Sequence, residues 1–249
     1  MTSAPLDVRR DGGVTALVLN RPDKANALNA ELVEVLLDAV ATARQDGTQL
    51  LVLHGEGKAF CGGFDFEDLD RQSDGDLVLR LIRIELLLQA IHYAPCATLA
   101  LCHGGAFGAG ADLVCACDQG IAAPATKFRM PGLRFGIALG TRRFAARVGA
   151  SSALEILTAS RTFHAEEAVE LGLLDSIAEP AQWPEIVRQT RERERLDPAT
   201  KVRLKQCVYD DRRASDLAAL AESASAPGLK ERIKTFRAEG VQEGALTGR

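Results

Sequence analysis

The stretches GEGKAFCGGFD (residues 55–65) and HGGAFGAGAD (residues 103–112) each follow an apolar run typical of a buried strand, at residues 50–53 and 97–102. Glycine has no Cβ, so the backbone there can approach a ligand closely. Where a strand runs into a helix N-terminus, backbone N–H groups lack partners and attract negative charge. The pattern predicts two anion-stabilising turns, with tight turns and close helix packing as the alternative reason for the glycines. Neither stretch has the spacing of a nucleotide-phosphate loop.

Segments typical of strands and helices alternate outward from these two stretches. Residues 14–20 form an apolar, β-branched run that predicts a buried strand, and Asn29 is a predicted N-cap for a helix that reaches Gln45. Residues 77–91 have helical periodicity. Further along, the sequence predicts helices at 139–148, 152–158 and 165–171, a strand at 173–178, and helices from 182 onward with breaks at 197–198 and 226–228.

Composition and charge exclude several classes of protein. The 249 residues carry a net charge of -4 with interspersed signs, which argues against a nucleic-acid partner. The apolar run at residues 96–117 is interrupted by His103, Asp112 and four glycines, so a strand, a turn and a buried helix are predicted rather than a membrane span. Six cysteines without a C-x-x-C pair, and an N-terminus without the apolar core of a signal peptide, predict free buried thiols, no metal and a cytoplasmic location.

Several segments in the same order resemble the crotonase superfamily of enoyl-CoA hydratases and isomerases. They are residues 20–28 (NRPDKANAL), 58–65 (KAFCGGFD), 104–112, 141–143 (TRR) and 165–173. The resemblance covers residues 6 to 180 approximately. It implies an α/β fold of the ClpP/crotonase type, a spiral of ββα units followed by a C-terminal helical trimerisation region. We accordingly expect a core with the acyl-CoA site at residues 1–195 and a helical region at residues 196–249.

The resemblance also implies a binding site. In this family the backbone around Ala25 and Ala27 and the loop from Gly62 to Asp65 hold a bent coenzyme A, and Lys24 meets its phosphates. The two N–H groups of the oxyanion hole map onto Phe64 and Ala109, the latter at a position that is usually glycine. The implied partner is an acyl-CoA thioester, with no cofactor beyond the coenzyme A of the substrate and no membrane or nucleic acid. A homotrimer or homohexamer is the implied assembly.

The side chains depart from the hydratase pattern of two glutamates. Asp112 falls at the first glutamate position and Gly132 at the second, so one carboxylate of the pair is missing. Because hydration uses one group to activate water and another to deliver the α-proton, this loss disfavours ordinary hydration. Asp112 is interpreted as a base or a water-orienting carboxylate, with a structural cap or an arginine partner as the alternative.

Three alternatives to a hydratase or isomerase remain open at this level. They are other enolate chemistry (a decarboxylase or a thioester hydrolase), a non-catalytic acyl-CoA-binding scaffold, and an enzyme acting on acyl chains tethered to a carrier protein.

Other polar residues are weaker candidates. Arg134, near Gly132, is considered for binding a carboxylate in the acyl pocket, with a solvated or subunit-interface charge as the alternative. Glu85 and His92 are expected at exposed or interface positions unless they are recruited for catalysis. His54 and His103 are interpreted as structural histidines, and Cys61 as a small space-filling residue because no adjacent base is evident.

Overall fold

Nine strands form two sheets in a computed structural model that describes residues 4–247, with side chains described for residues 4–239. The strands are β1 (Leu6–Asp11), β2 (Val14–Leu19), β3 (Leu50–Gly55), β4 (Ala97–Cys102), β5 (Gly105–Phe107), β6 (Gln119–Ala122), β7 (Lys127–Arg129), β8 (Phe163–His164) and β9 (Ser176–Ile177). The main sheet has the order β1-β2-β3-β4-β6-β9, parallel except for the β1–β2 hairpin. The small sheet has the order β5-β7-β8.

Within residues 4–247, ten α-helices surround these sheets. They are α1 (Ala30–Ala43), α2 (Asp74–His92), α3 (Ala109–Ala116), α4 (Thr141–Val148), α5 (Ala150–Ala159), α6 (Ala165–Glu170), α7 (Trp183–Arg193), α8 (Pro198–Val208), α9 (Arg213–Ser225) and α10 (Leu229–Thr247). Among the residues that the structure describes, no helix is long and apolar enough to cross a bilayer.

The central strands are apolar throughout because both faces of the main sheet are covered. Side chains alternate along a strand, and Leu51 and Leu53 pack in the main core while Leu50 and Val52 pack in a second cluster together with residues of α7. The predicted strands at 14–20, 50–53 and 97–102 are therefore confirmed.

Side-chain caps set the starts of the two long N-terminal helices. The Asn29 Oδ1 accepts from Leu32 N at 2.9 Å, as the sequence predicts. Helix α2 begins at Asp74, before the apolar periodicity at residue 77, because Ser73 and Asp76 form a reciprocal capping box.

The predicted strand at 173–178 is reduced to Ser176–Ile177. The N–H groups of Leu173 and Leu174 both donate to Ala168 O, at 2.9 and 3.1 Å, so these residues complete the turn that ends α6. Their apolar character reflects burial in the core rather than membership of the sheet.

The C-terminal helices pack on this chain's own core. Helix α9 lies on α2, and Leu220, Leu229 and Ile233 are buried. The predicted breaks are confirmed, since α8 begins at Pro198 and α9 and α10 are separated by residues 226–228. The division at residue 195/196 and the trimeric assembly stay predictions. Of the six free thiols Cys207 is exposed, so the expectation that all are buried is wrong there, because it lies on the solvent side of α8.

Candidate functional site

The two glycine-rich stretches lie side by side as a short parallel ladder. Phe60 N donates to His103 O at 2.8 Å, Cys61 N to Gly105 O at 3.1 Å, and Phe107 N to Cys61 O at 2.9 Å. The first loop is thereby fixed against the turn that leads into α3.

Glycines permit this contact between backbones. A Cβ added at Gly63, whose φ is +89°, would lie 2.4 Å from Phe107 O, and one at Gly110 would lie 2.3 Å from Cys61 O. Real Cβ atoms do not approach so closely, so a side chain at either position would push the loops apart. At these two positions the glycines therefore serve close packing of the chain, the alternative reason, and an approach of this backbone to a ligand stays a prediction.

Two N–H groups where the loops meet, those of Phe64 and Ala109, take no part in the hydrogen bonds between the loops. Within residues 4–247, neither Phe64 N nor Ala109 N donates a hydrogen bond to a protein acceptor. The two positions are close, because a Cβ on Gly63, next to Phe64, would lie 3.4 Å from Ala109 N. Ala109 is the first residue of α3, where the helix dipole adds partial positive charge. The arrangement suits a developing negative charge on a small oxygen.

Asp112 follows one turn into α3 and is 3% exposed. Its Oδ1 has no hydrogen-bond partner among the described residues. Burial raises the pKa of Asp112 well above its ordinary value, Glu85 adds to the rise, and the Arg143 guanidinium opposes it. Gly140, at φ +64°, packs directly on this carboxyl, since an added Cβ would lie 1.8 Å from Oδ1. The Asp112 carboxyl is thus a buried group whose environment favours its protonated form, rather than a solvated charge.

A buried ion pair lies behind Asp112. Arg143 Nη2 contacts Glu85 Oε2 at 2.5 Å and Nη1 contacts Oε1 at 3.1 Å. Gln89 also donates to Glu85, at 2.9 Å, and Asp216 lies 3.4 Å from Arg143. The guanidinium thus points at other carboxylates rather than at Asp112, so the structural alternative of a direct arginine pair for Asp112 is not realised.

Glu85 is 1% exposed, so the expectation of an exposed or interface position is wrong. It lies four residues after Leu81 and three before Leu88, which places it on the apolar face of α2. The spacing of Glu85 from these leucines was the sequence signal that could have predicted its burial. His92 is also largely buried, and burial together with Arg143 and Lys205 lowers its pKa to about 4.

An apolar pocket of about 730 Å³, including its open mouth, lies beside the two loops. Its lining includes Phe64, Ala109 and Asp112, together with wall residues Phe66, Leu81, Phe135, Leu139, Ile233 and Phe236. Ile233 and Phe236 come from α10, so the C-terminal helical region forms one wall. Asp112 is the only carboxylate among the described residues that line the pocket.

Gly132 also lines this pocket, at the start of a 3₁₀ turn, Gly132–Phe135. A Cβ placed there would lie 3.1 Å from Ile137 O, a contact that requires a small adjustment of the turn. The position of the absent second carboxylate therefore faces the pocket.

The residues predicted to hold coenzyme A lie together at the outer end of the first loop. Lys24 Nζ pairs with Glu67 at 2.7 Å on the surface, and Ala25 O accepts from Gly62 N at 2.7 Å. Asp65 is bound internally to Arg21, at 2.7 Å. Ala27 lies against Gly62, since a Cβ added at Gly62 would lie 3.9 Å from the Ala27 Cβ. Their role as coenzyme A ligands stays a prediction.

Asn26 is a site residue that sequence reasoning missed. It is fully buried at φ +55°. Its Nδ2 donates to Glu56 O and Ala59 O, each at 2.8 Å, and its Oδ1 accepts from Arg21 N at 2.8 Å. Asn26 thus joins the residue 21–27 turn to the first glycine-rich loop. The signal was an asparagine beside short residues, a type that tolerates left-handed backbone.

The remaining candidates are Arg134, His103 and Cys61. Arg134 pairs with Glu239 at 3.0 Å and lies over the Phe236 ring, so the hypothesis that it binds a carboxylate in the acyl pocket is not supported. His103 Nε2 lies 3.0 Å from Gly57 O, a structural contact. Burial raises the pKa of Cys61 to about 12, which fits a space-filling thiol.

Comparisons with known proteins agree on one family. The sequence model of the enoyl-CoA hydratase/isomerase family matches residues 9–232. A trans-2-decenoyl-[acyl-carrier-protein] isomerase of Streptococcus mutans is 31% identical over 184 residues, covering 71% of this chain and 70% of that protein. A hydroxycinnamoyl-CoA hydratase-lyase of Pseudomonas fluorescens is 30% identical over 190 residues, covering 72% of this chain and 68% of that protein.

A solved structure agrees closely with the fold. A Bordetella parapertussis protein described as a candidate enoyl-CoA hydratase/isomerase has a TM-score of 0.93 and 48% identity, covering 95% of this chain and 99% of that one. The α/β crotonase fold class predicted from the sequence is confirmed.

Proposed function

This chain belongs to the enoyl-CoA hydratase/isomerase family and is an enzyme of that family, and on that premise we propose that it moves the double bond of an enoyl thioester. In the proposed reaction the N–H groups of Phe64 and Ala109 stabilise an enolate and Asp112 carries the proton. The observation that supports it is the meeting of two unbonded N–H groups and one carboxyl in an apolar pocket.

The oxyanion part follows from the backbone. When a proton leaves the carbon next to a thioester, negative charge collects on the carbonyl oxygen. Each preorganised N–H aimed at that oxygen contributes about 3 kcal/mol. Phe64 N and Ala109 N have no acceptor of their own to give up, within the described residues, so they can bind the oxygen without breaking another hydrogen bond.

The single carboxyl favours isomerisation over hydration. Isomerisation removes a proton from one carbon and returns it to another two bonds away, so one group can serve both steps. Hydration also needs a group to orient and deprotonate water, and Gly132 has no side chain to do so. A carboxyl whose pKa is raised toward the working pH exchanges its proton in both directions efficiently.

Decarboxylation is a second candidate, and the raised pKa of Asp112 is the observation that favours it. A malonyl-type thioester that loses CO₂ leaves the same enolate, which needs only an acid to protonate the α-carbon. A protonated Asp112 is such an acid.

The experiment is to incubate the protein in heavy water with 2-enoyl, 3-enoyl, 3-hydroxy, saturated and malonyl-type CoA thioesters, followed by mass spectrometry. Interconversion of 2- and 3-enoyl thioesters with deuterium incorporation supports isomerisation, and CO₂ loss from the malonyl type supports the second candidate. Both should fall about 100-fold or more in Asp112→Asn. A protein that binds these thioesters but turns over none would be a non-catalytic scaffold, and the proposal would be wrong.

A further inference from the structure

The small β5-β7-β8 sheet has two chemically different faces. Ala106, Phe128 and Phe163 lie next to one another in the register and are 0 to 1% exposed, with the two rings 5.5 Å apart. Because side chains alternate along a strand, the neighbouring positions must point the other way. That opposite face carries Lys127 and Arg129 of β7.

The register brings three basic side chains onto this outer face. Lys127 is paired with His164 of β8, and Arg129 follows Lys127 by two residues. All three line a cleft of about 970 Å³, including its open mouth. No aspartate or glutamate is among the described residues that line it. In a chain of net charge -4 with many surface ion pairs, three basic groups without an acidic neighbour in the cleft are unusual.

A backbone hydrogen bond fixes the guanidinium of Arg129. Its Nε donates to Ser160 O at 2.8 Å, and no aspartate or glutamate is among the described residues that line the cleft with it. A guanidinium fixed through Nε presents its two terminal nitrogens in the fork that matches carboxylate and phosphate oxygens.

The basic cleft is continuous with the apolar pocket that lies beside the two glycine-rich loops. The two share five lining residues, namely Gly62, Phe66, Phe107, Pro131 and Phe236. Arg129 O also accepts from Gly108 N at 2.8 Å, directly before the Ala109 N–H. A substrate held at the two N–H groups therefore has an apolar arm of the pocket on one side and a basic arm on another.

We propose that the Lys127, Arg129 and His164 face binds an anionic group of the thioester substrate while its carbonyl oxygen lies at Phe64 and Ala109. This inference rests on the proposed function and names the chemistry of one further part of its substrate. The anion is a carboxylate or a phosphate, and it comes either from the acyl chain or from the phosphate-bearing arm of the carrier.

The test compares three thioesters of one enoyl chain length: the CoA thioester, the pantetheine thioester, which has no phosphate, and a pantetheine thioester whose acyl chain ends in a carboxylate. Dissociation constants are measured by calorimetry for wild type, Lys127→Gln, His164→Gln and the double variant. Lys127 and His164 are exposed, so these variants should fold. Arg44→Gln, at the exposed end of α1, is the control for a lost surface charge.

The double variant should bind one anionic probe about five- to tenfold more weakly, since an exposed ion pair contributes up to about 1 kcal/mol. A loss confined to the CoA thioester identifies the carrier phosphates, and a loss confined to the carboxyl-terminated probe identifies the acyl chain. Unchanged binding of both, or an equal loss in Arg44→Gln, overturns the inference. Deuterium exchange on the neutral pantetheine thioester tests the proposed enolate chemistry separately, because that probe has no anion for the cleft.

Discussion

Gly140→Ala should displace the Asp112 carboxyl while leaving residue 112 itself unchanged. The added methyl would lie 1.8 Å from Asp112 Oδ1, whereas ordinary van der Waals contact begins at 3.4 Å, so the carboxyl must shift by about 1.6 Å or the turn must open. A misplacement of about 1 Å can cost about 100-fold in rate. We expect deuterium exchange at the substrate α-carbon to fall by about that factor. Thioester affinity should change little, because the N–H groups and apolar walls stay in place.

The same substitution costs stability for a separate reason. Gly140 has φ +64°, and an alanine in that region costs about 1 kcal/mol. Gly12→Ala is the matched control, since Gly12 has φ +54° with nothing within 4 Å of an added Cβ. Gly12→Ala should show the cost of the left-handed backbone alone in urea unfolding, Gly140→Ala should lose a further amount of about 1–3 kcal/mol from overpacking, and only Gly140→Ala should lose exchange. Exchange in Gly140→Ala within about threefold of wild type would refute a catalytic position for the Asp112 carboxyl.

Three further predictions concern the same site. In the native state Asp112 keeps its proton to a higher pH than in the unfolded chain, where its pKa is near 3.8, so its contribution to folding falls as pH rises above that value. The difference in unfolding free energy between Asp112→Asn and wild type should therefore shift in favour of the variant from pH 4 to pH 8. An equal difference at pH 4 and pH 8 in urea unfolding would contradict this. Asn26→Ala should lose about 3 kcal/mol of unfolding free energy, because it strands buried backbone groups that Asn26 now satisfies; a loss below 1 kcal/mol would show that water replaces the amide. Gly132→Glu restores the second carboxylate at the cost of a small shift of Ile137 and should raise hydration of a 2-enoyl thioester at least about tenfold; isomerisation with no gain in hydration would mean that the turn holds the new side chain away from the substrate.

The long elements were predictable from the sequence because burial on both faces leaves a continuous apolar run, as in β3 and β4. The small sheet was not, because β7 and β8 have only three and two residues, too few for a periodic signal. Their pairing depends on partners far apart in the chain, such as Lys127 with His164.

The site was predictable where its residues form a local pattern in the sequence, and not where distant residues come together on folding. The two loops could be located from their glycines and from family resemblance, since each is a local pattern. The Glu85 and Arg143 pair behind Asp112 joins α2 to α4 across 58 residues, and no local pattern records that distance. The pocket wall from α10 is likewise a product of packing, which is why Ile233 and Phe236 were not anticipated.

The interlocked loops place the proposed oxygen-binding groups in the main chain, which has a consequence for how such a protein can change. An N–H group is present in every residue but proline, so ordinary point substitutions cannot delete it. Substitutions can alter the spacing between the two loops, but a side chain at Gly63 or Gly110 would collide with the backbone of the neighbouring loop. Variation is therefore channelled to the surrounding walls, where exchanging one apolar or basic side chain alters which molecules enter. Substrate choice can drift across descendants of such a chain while the means of stabilising the intermediate is inherited intact.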